Sequence, residues 1–158
     1  MPSLTHAALV AANINPQTGL ATDYLNHFNE AIMLLEMIPT IPECAGELSE
    51  WQPLTYRQHF EASNFKGRDL AIDAYEAADA DLRARLDYYT DSMTAILKAV
   101  RDAMAQVKTD TTRSRLAEEA AKWLKPLVAH AGAVINGTPD KTSGDVQPQA
   151  DADYIMTH

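Results

Sequence analysis

Residues 79–108 read DADLRARLDYYTDSMTAILKAVRDAMAQVK. Apolar side chains return at Leu82, Leu86, Tyr89, Met93, Ile96, Val100, Ala103 and Val107, at alternating spacings of four and three. That is the a/d seam of a helix with a heptad pattern. Leu97 and Met104 widen the seam, and Arg83, Asp87, Asp91, Lys98, Arg101 and Asp102 occupy a solvated side. Asp79 or Asp81 is placed to cap its start. At 1.5 Å per residue such a helix is about 45 Å long. A compact chain of 158 residues has a diameter of only about 39 Å. The seam therefore outruns the globule, and a second copy of the chain would complete its cover. The expected partner is a homodimer formed around Leu86, Tyr89, Met93, Ile96 and Val100, divided between core and interface.

The same period extends to both sides. From Gly19 to Ile38, Ala21, Leu25, Phe28, Ile32 and Leu35 form one stripe. From Ala31 onward this segment is apolar almost all round, which predicts a helix in the middle of a bundle, with Met33 and Met37 as core filler. A third long helix is expected from about Arg113 to Ile135 through Leu116, Ala120, Trp123, Leu127, His130 and Val134, with a kink at Pro126 near Lys122. Thr109 to Thr112 reads as the loop before it. Shorter helices are expected at 3–13 with Ser3 as cap, at 43–51, from Tyr56 behind a Thr55/Gln58 capping box, and at 67–78. Composition agrees: 26 Ala and 15 Leu against 6 Val and 8 Ile favour helix over strand. The predicted fold is all-α, an up-and-down helical bundle with three longer helices (19–38, 79–108, 113–136) and short ones around them. Residues 1–136 form one domain in this reading. Residues 137–158, with Pro139, Gly144, Pro148 and four Asp, lack an apolar period and read as a flexible, disordered acidic tail. The tail ends on the apolar Tyr154, Ile155 and Met156.

Charge and composition exclude several function classes. The formal charge of −9 argues against nucleic acid, whose phosphates demand a basic surface. No apolar run approaches the length of a membrane span, and no Lys or Arg precedes the first apolar stretch as in a secretion signal, so the expected location is cytoplasmic. The single cysteine, Cys44, makes no intrachain disulfide. The six glycines are too scattered for a phosphate loop or dinucleotide fingerprint. Residues 1–56 hold six acids and no Lys or Arg, whereas 57–136 balance at 12 basic and 12 acidic. The acidic stretch must meet positive charge from the later helices, from a basic partner or from a metal ion.

The chemistry-bearing cluster is Asp23, His27 and Glu30, at spacings of four and three on one helix face. His130, on the stripe of the last helix, can add a second nitrogen. Imidazole and carboxylates converging on one point suit a divalent transition metal such as zinc, iron or manganese. The bland alternative is a hydrogen-bonded pair with His130 as a core histidine. No Glu-x-x-His repeat of the di-iron type is present, and no cofactor is required by any motif. His59 and Glu61 could add further ligands, but on a helix they point in different directions.

Three function classes follow. The first is a binding or regulatory protein acting through helix surfaces as a homodimer, without catalytic signatures. The second is a metal- or small-ligand site centred on His27 and Glu30, open to catalysis. The third is a structural subunit of a larger assembly.

Overall fold

The computed structural model of the chain describes residues 4–138. Helix and turn account for its regular structure, with no strand among the described residues. Thr5 caps the short α1 (His6–Ala11) by accepting from the Ala8 N–H at 3.2 Å. A single 3₁₀ turn, Thr22–Tyr24, leads into α2 (Leu25–Met37). Next come α3 (Cys44–Glu50), α4 (Tyr56–Ala62) and α5 (Arg68–Ala77). The capping box at α4 is formed in both directions by Thr55 and Gln58. The two long helices are α6 (Ala80–Gln106), capped by Asp79, and α7 (Asp110–Asn136), capped by Thr109. Gly137 closes α7 in the left-handed conformation at φ 70°, its N–H reaching the Val134 carbonyl.

The long helices pack against each other, and α7 also carries α2 on its other flank. Tyr89 of α6 stacks on His130 of α7, while Arg113 at the start of α7 donates to the Val107 carbonyl, so the pair is antiparallel. Leu25 lies near Gly132 and Glu36 pairs with Lys125, so α2 also runs antiparallel to α7. One buried cluster joins these helices, with Phe28, Leu35, Phe60, Leu86, Met93, Leu124 and Ile135 at its centre.

Several elements differ from the sequence reading. The N-terminal helix is shorter than 3–13 and is capped by Thr5; Ser3 lies outside the described residues, as do the tail residues 139–158 and the apolar tip within them. Helix α2 starts at Leu25, not Gly19, because distant partners hold 18–21 in an irregular path. The Thr18 hydroxyl donates to the Ile135 carbonyl and accepts from the Leu20 N–H, and the Tyr56 hydroxyl accepts from the Ala21 N–H. Met33 and Met37 face outward at 52% and 36% exposure, so α2 has an open side. The expected loop 109–112 is mostly helix, since Thr109 accepts from the Thr112 N–H and starts α7 at Asp110. Pro126, where the sequence places a kink, lies within the unbroken run of α7 and is exposed together with Lys122. The Lys122 carbonyl, deprived of its helical donor, thus belongs to a residue open to water.

The buried line of α6 also differs from the a/d seam. It runs Leu86, Thr90, Met93, Leu97 and Met104, while Leu82, Tyr89, Ile96, Val100 and Ala103 are half-buried. Helix α6 is turned because it covers two neighbours: α7 on one side, and α3 with the 51–56 connection on the other.

Candidate functional site

Asp23 sits in the 3₁₀ turn before α2 begins, whereas His27 and Glu30 lie on α2 itself. At three residues per turn, the Asp23 side chain departs from the line that four-residue spacing assumes. Asp23 Oδ2 accepts from His59 Nε2 at 2.9 Å, and its Oδ1 accepts from Asn26 Nδ2 at 3.2 Å. His27 turns toward the end of α3. Its Nε2–H donates to the Gln52 carbonyl at 2.6 Å, and its ring stacks on Trp51 with centroids 4.6 Å apart. Trp51 Nε1–H returns a bond to the His27 carbonyl at 3.0 Å, and Arg101 of α6 donates to the Trp51 carbonyl at 2.6 Å. Glu30 is exposed, and His130 lies far along the chain on α7, stacked on Tyr89. Among the described residues no group of three or more His, Cys, Asp and Glu is arranged to hold a metal ion.

What assembles here is an aromatic clasp. Tyr24 packs edge-on against Phe28, Tyr56 and His59, and its hydroxyl donates to the Leu54 carbonyl at 2.7 Å. Tyr56 stacks on Tyr75 of α5 at 4.3 Å. The clasp fastens the irregular 51–55 connection to α2 and α6, so that its buried polar groups are bonded. Burial lowers the His27 pKa below its ordinary value, against the Gln52 hydrogen bond that raises it, while nearby His59 lowers it further. A neutral imidazole facing a carbonyl must carry its proton on Nε2. Burial, then the Glu47 and Glu43 carboxylates, push the Cys44 thiol up, opposite to what a nucleophile requires. The sequence offers His59 only as a secondary member of the cluster and gives Trp51 no part in it. The signals were faint: a histidine in the first turns of a capped helix, and a tryptophan between Glu50 and Pro53.

The second feature is the outer face of the α6–α7 pair. Tyr89 and His130 fix the register of the antiparallel pair, and equal steps of seven along the two helices bring Ile96 and Trp123 to one level. Trp123 is 66% exposed and Tyr88 67%. Ala95 and Ala99, both exposed, lie on the same side of α6 as Tyr88 by helical spacing. Leu86 and Met93 are fully buried, while Tyr89, Ile96 and Val100 are half-buried. Comparison with protein-family models, curated proteins and solved structures gave no match.

Proposed function

We propose that this protein is a binding or regulatory protein that acts through helix surfaces, and that it works as a homodimer through the outer face of α6 and α7. The observation that carries the reading is Trp123. It stands at the midpoint of α7 and is largely open to water in the single chain. Interface energy concentrates in large aromatics near the centre of a patch. A two-fold axis passing between Trp123 of α7 and the small-residue side of α6, Ala95 and Ala99, would bring each copy's tryptophan onto that side of the other. Each long helix has 27 residues, about 40 Å at 1.5 Å per residue. Two such helices at the usual interaxial spacing present a face on the order of 800 Å², which is what one partner contributes to a standard stable interface.

Light scattering at micromolar concentration tests this. The expected mass is about 35 kDa, twice the 17.4 kDa chain, falling to the single-chain value in Trp123→Glu. Since Trp123 is exposed, the variant keeps the fold, and a wild-type monomer at 17.4 kDa would refute the dimer.

A further inference from the structure

A different face of the molecule joins unpaired carboxylates to exposed apolar side chains. Of the six acids in residues 1–56, the fold pairs two: Asp23 with His59, and Glu36 with Lys125. Glu30, Glu43, Glu47 and Glu50 enter no ion pair among the described residues. The later helices therefore leave most of this acidic stretch without a direct counter-charge.

The two helices that carry these carboxylates pack together, and one of them presents an apolar ridge. Met33, Met37 and Ile41 follow one another at four-residue steps along the outer side of α2 and the turn after it, exposed by 52%, 36% and 42%. Glu30 precedes Met33 by three residues and Met37 by seven, so it shares their side of the helix. Helix α3 folds back beside α2, its end held by the Trp51–His27 stack. Ala45, Gly46 and Ser49 of α3 face Arg101 and Met104 of α6. Glu43, Glu47 and Glu50, exposed and at steps of four and three, fall by helical spacing on the side of α3 away from α6.

We propose that this face of α2 and α3 is the docking surface for a basic amphipathic helix of a partner protein. The partner's apolar stripe covers Met33, Met37 and Ile41, and its Lys and Arg side chains meet Glu30, Glu43, Glu47 and Glu50. Unbranched thioethers adapt to the shape of an incoming stripe, and an amphipathic helix on an apolar surface is a recurrent recognition mode. Charge selects the occupant. Nucleic acid and anionic lipid carry the same sign as this face. A second copy docking here two-fold would oppose acid with acid. The surface is separate from the α6–α7 face and does not depend on dimerisation.

The full chain, labelled with methyl-¹³C methionine, is titrated with an 18-residue peptide of leucine and lysine at amphipathic helical spacing. The Met33 and Met37 methyl resonances should shift while those of the buried Met93 and Met104 stay in place. Affinity should fall by about tenfold or more in Met33→Ser/Met37→Ser, from lost apolar burial. It should also fall in the fourfold Glu→Gln variant at 30, 43, 47 and 50, and with added salt. Asp69→Asn/Asp73→Asn on α5 should bind as tightly as wild type, and so should Trp123→Glu whether or not the chain dimerises. Absence of binding overturns the proposal. So does equal affinity in the methionine variant, or an equal loss in the α5 variant, since either would mean only diffuse attraction to an acidic protein.

Discussion

At the residue scale, the clasp around His27 couples stability to pH. Its pKa is lowered in the fold, chiefly by burial, from about 6.5 in the unfolded chain. The neutral ring's contribution is therefore fully present above the unfolded value and is lost as pH falls through the lowered folded value, because the unfolded chain then binds the extra proton. Urea denaturation from pH 7.5 to 5 should show this loss in wild type and a shallower one in His27→Gln, which keeps a donor near the Gln52 carbonyl. A second prediction concerns Tyr56. Its hydroxyl accepts from the Ala21 N–H at 2.8 Å in a buried setting, so Tyr56→Phe strands that N–H and should cost about 1–3 kcal/mol. Tyr24→Phe should cost less, because its bond to the Leu54 carbonyl is only partly buried. Both are read from denaturant midpoints. The residue types at this site were visible in the sequence; their pairing was not. His59 and Asp23 are 36 positions apart, and no periodicity links a 3₁₀ turn to a helix that far away.

At the element scale, local signals were dependable where the backbone alone sets the boundary. Asp79 caps α6, and Thr55 with Gln58 starts α4 as read from the sequence. Boundaries moved where a remote group intervened, as at Thr18, whose bond to Ile135 delays α2. Pro126 gives a clean test of helix propensity. It is exposed within an unbroken α7, so Pro126→Ala restores a helical N–H without disturbing the core. The melting transition should move up, by an amount corresponding to about 1 kcal/mol or more.

At the scale of the whole molecule, dimerisation links stability to concentration. If the α6–α7 face is closed by a second copy, the melting temperature rises with protein concentration, because association favours the folded chain by mass action. Thermal scans over a hundredfold concentration range should show that rise in wild type and its absence in Trp123→Glu. A concentration-independent transition in wild type would place Trp123 outside any self-association surface.

The sequence by itself determined the helical class, the three longest helices, the caps of α4 and α6 and the acidic imbalance of the first third, because these depend on spacing and composition along a single segment. Tertiary structure alone decided how those helices are turned. The periodic seam of α6 pointed to Leu82, Tyr89 and Ile96 as fully as to Leu86 and Met93, yet only the latter two are fully buried. A helix that covers two neighbours buries the bisector of their directions, and that bisector is fixed by elements distant in the chain. The same reason separates the methionines. Met93 and Met104 fill the core while Met33 and Met37 face water, because α2 has α7 and α3 on its flanks and nothing among the described residues over its outer side. Apolar character shows which side chains can be buried, and packing decides which ones are.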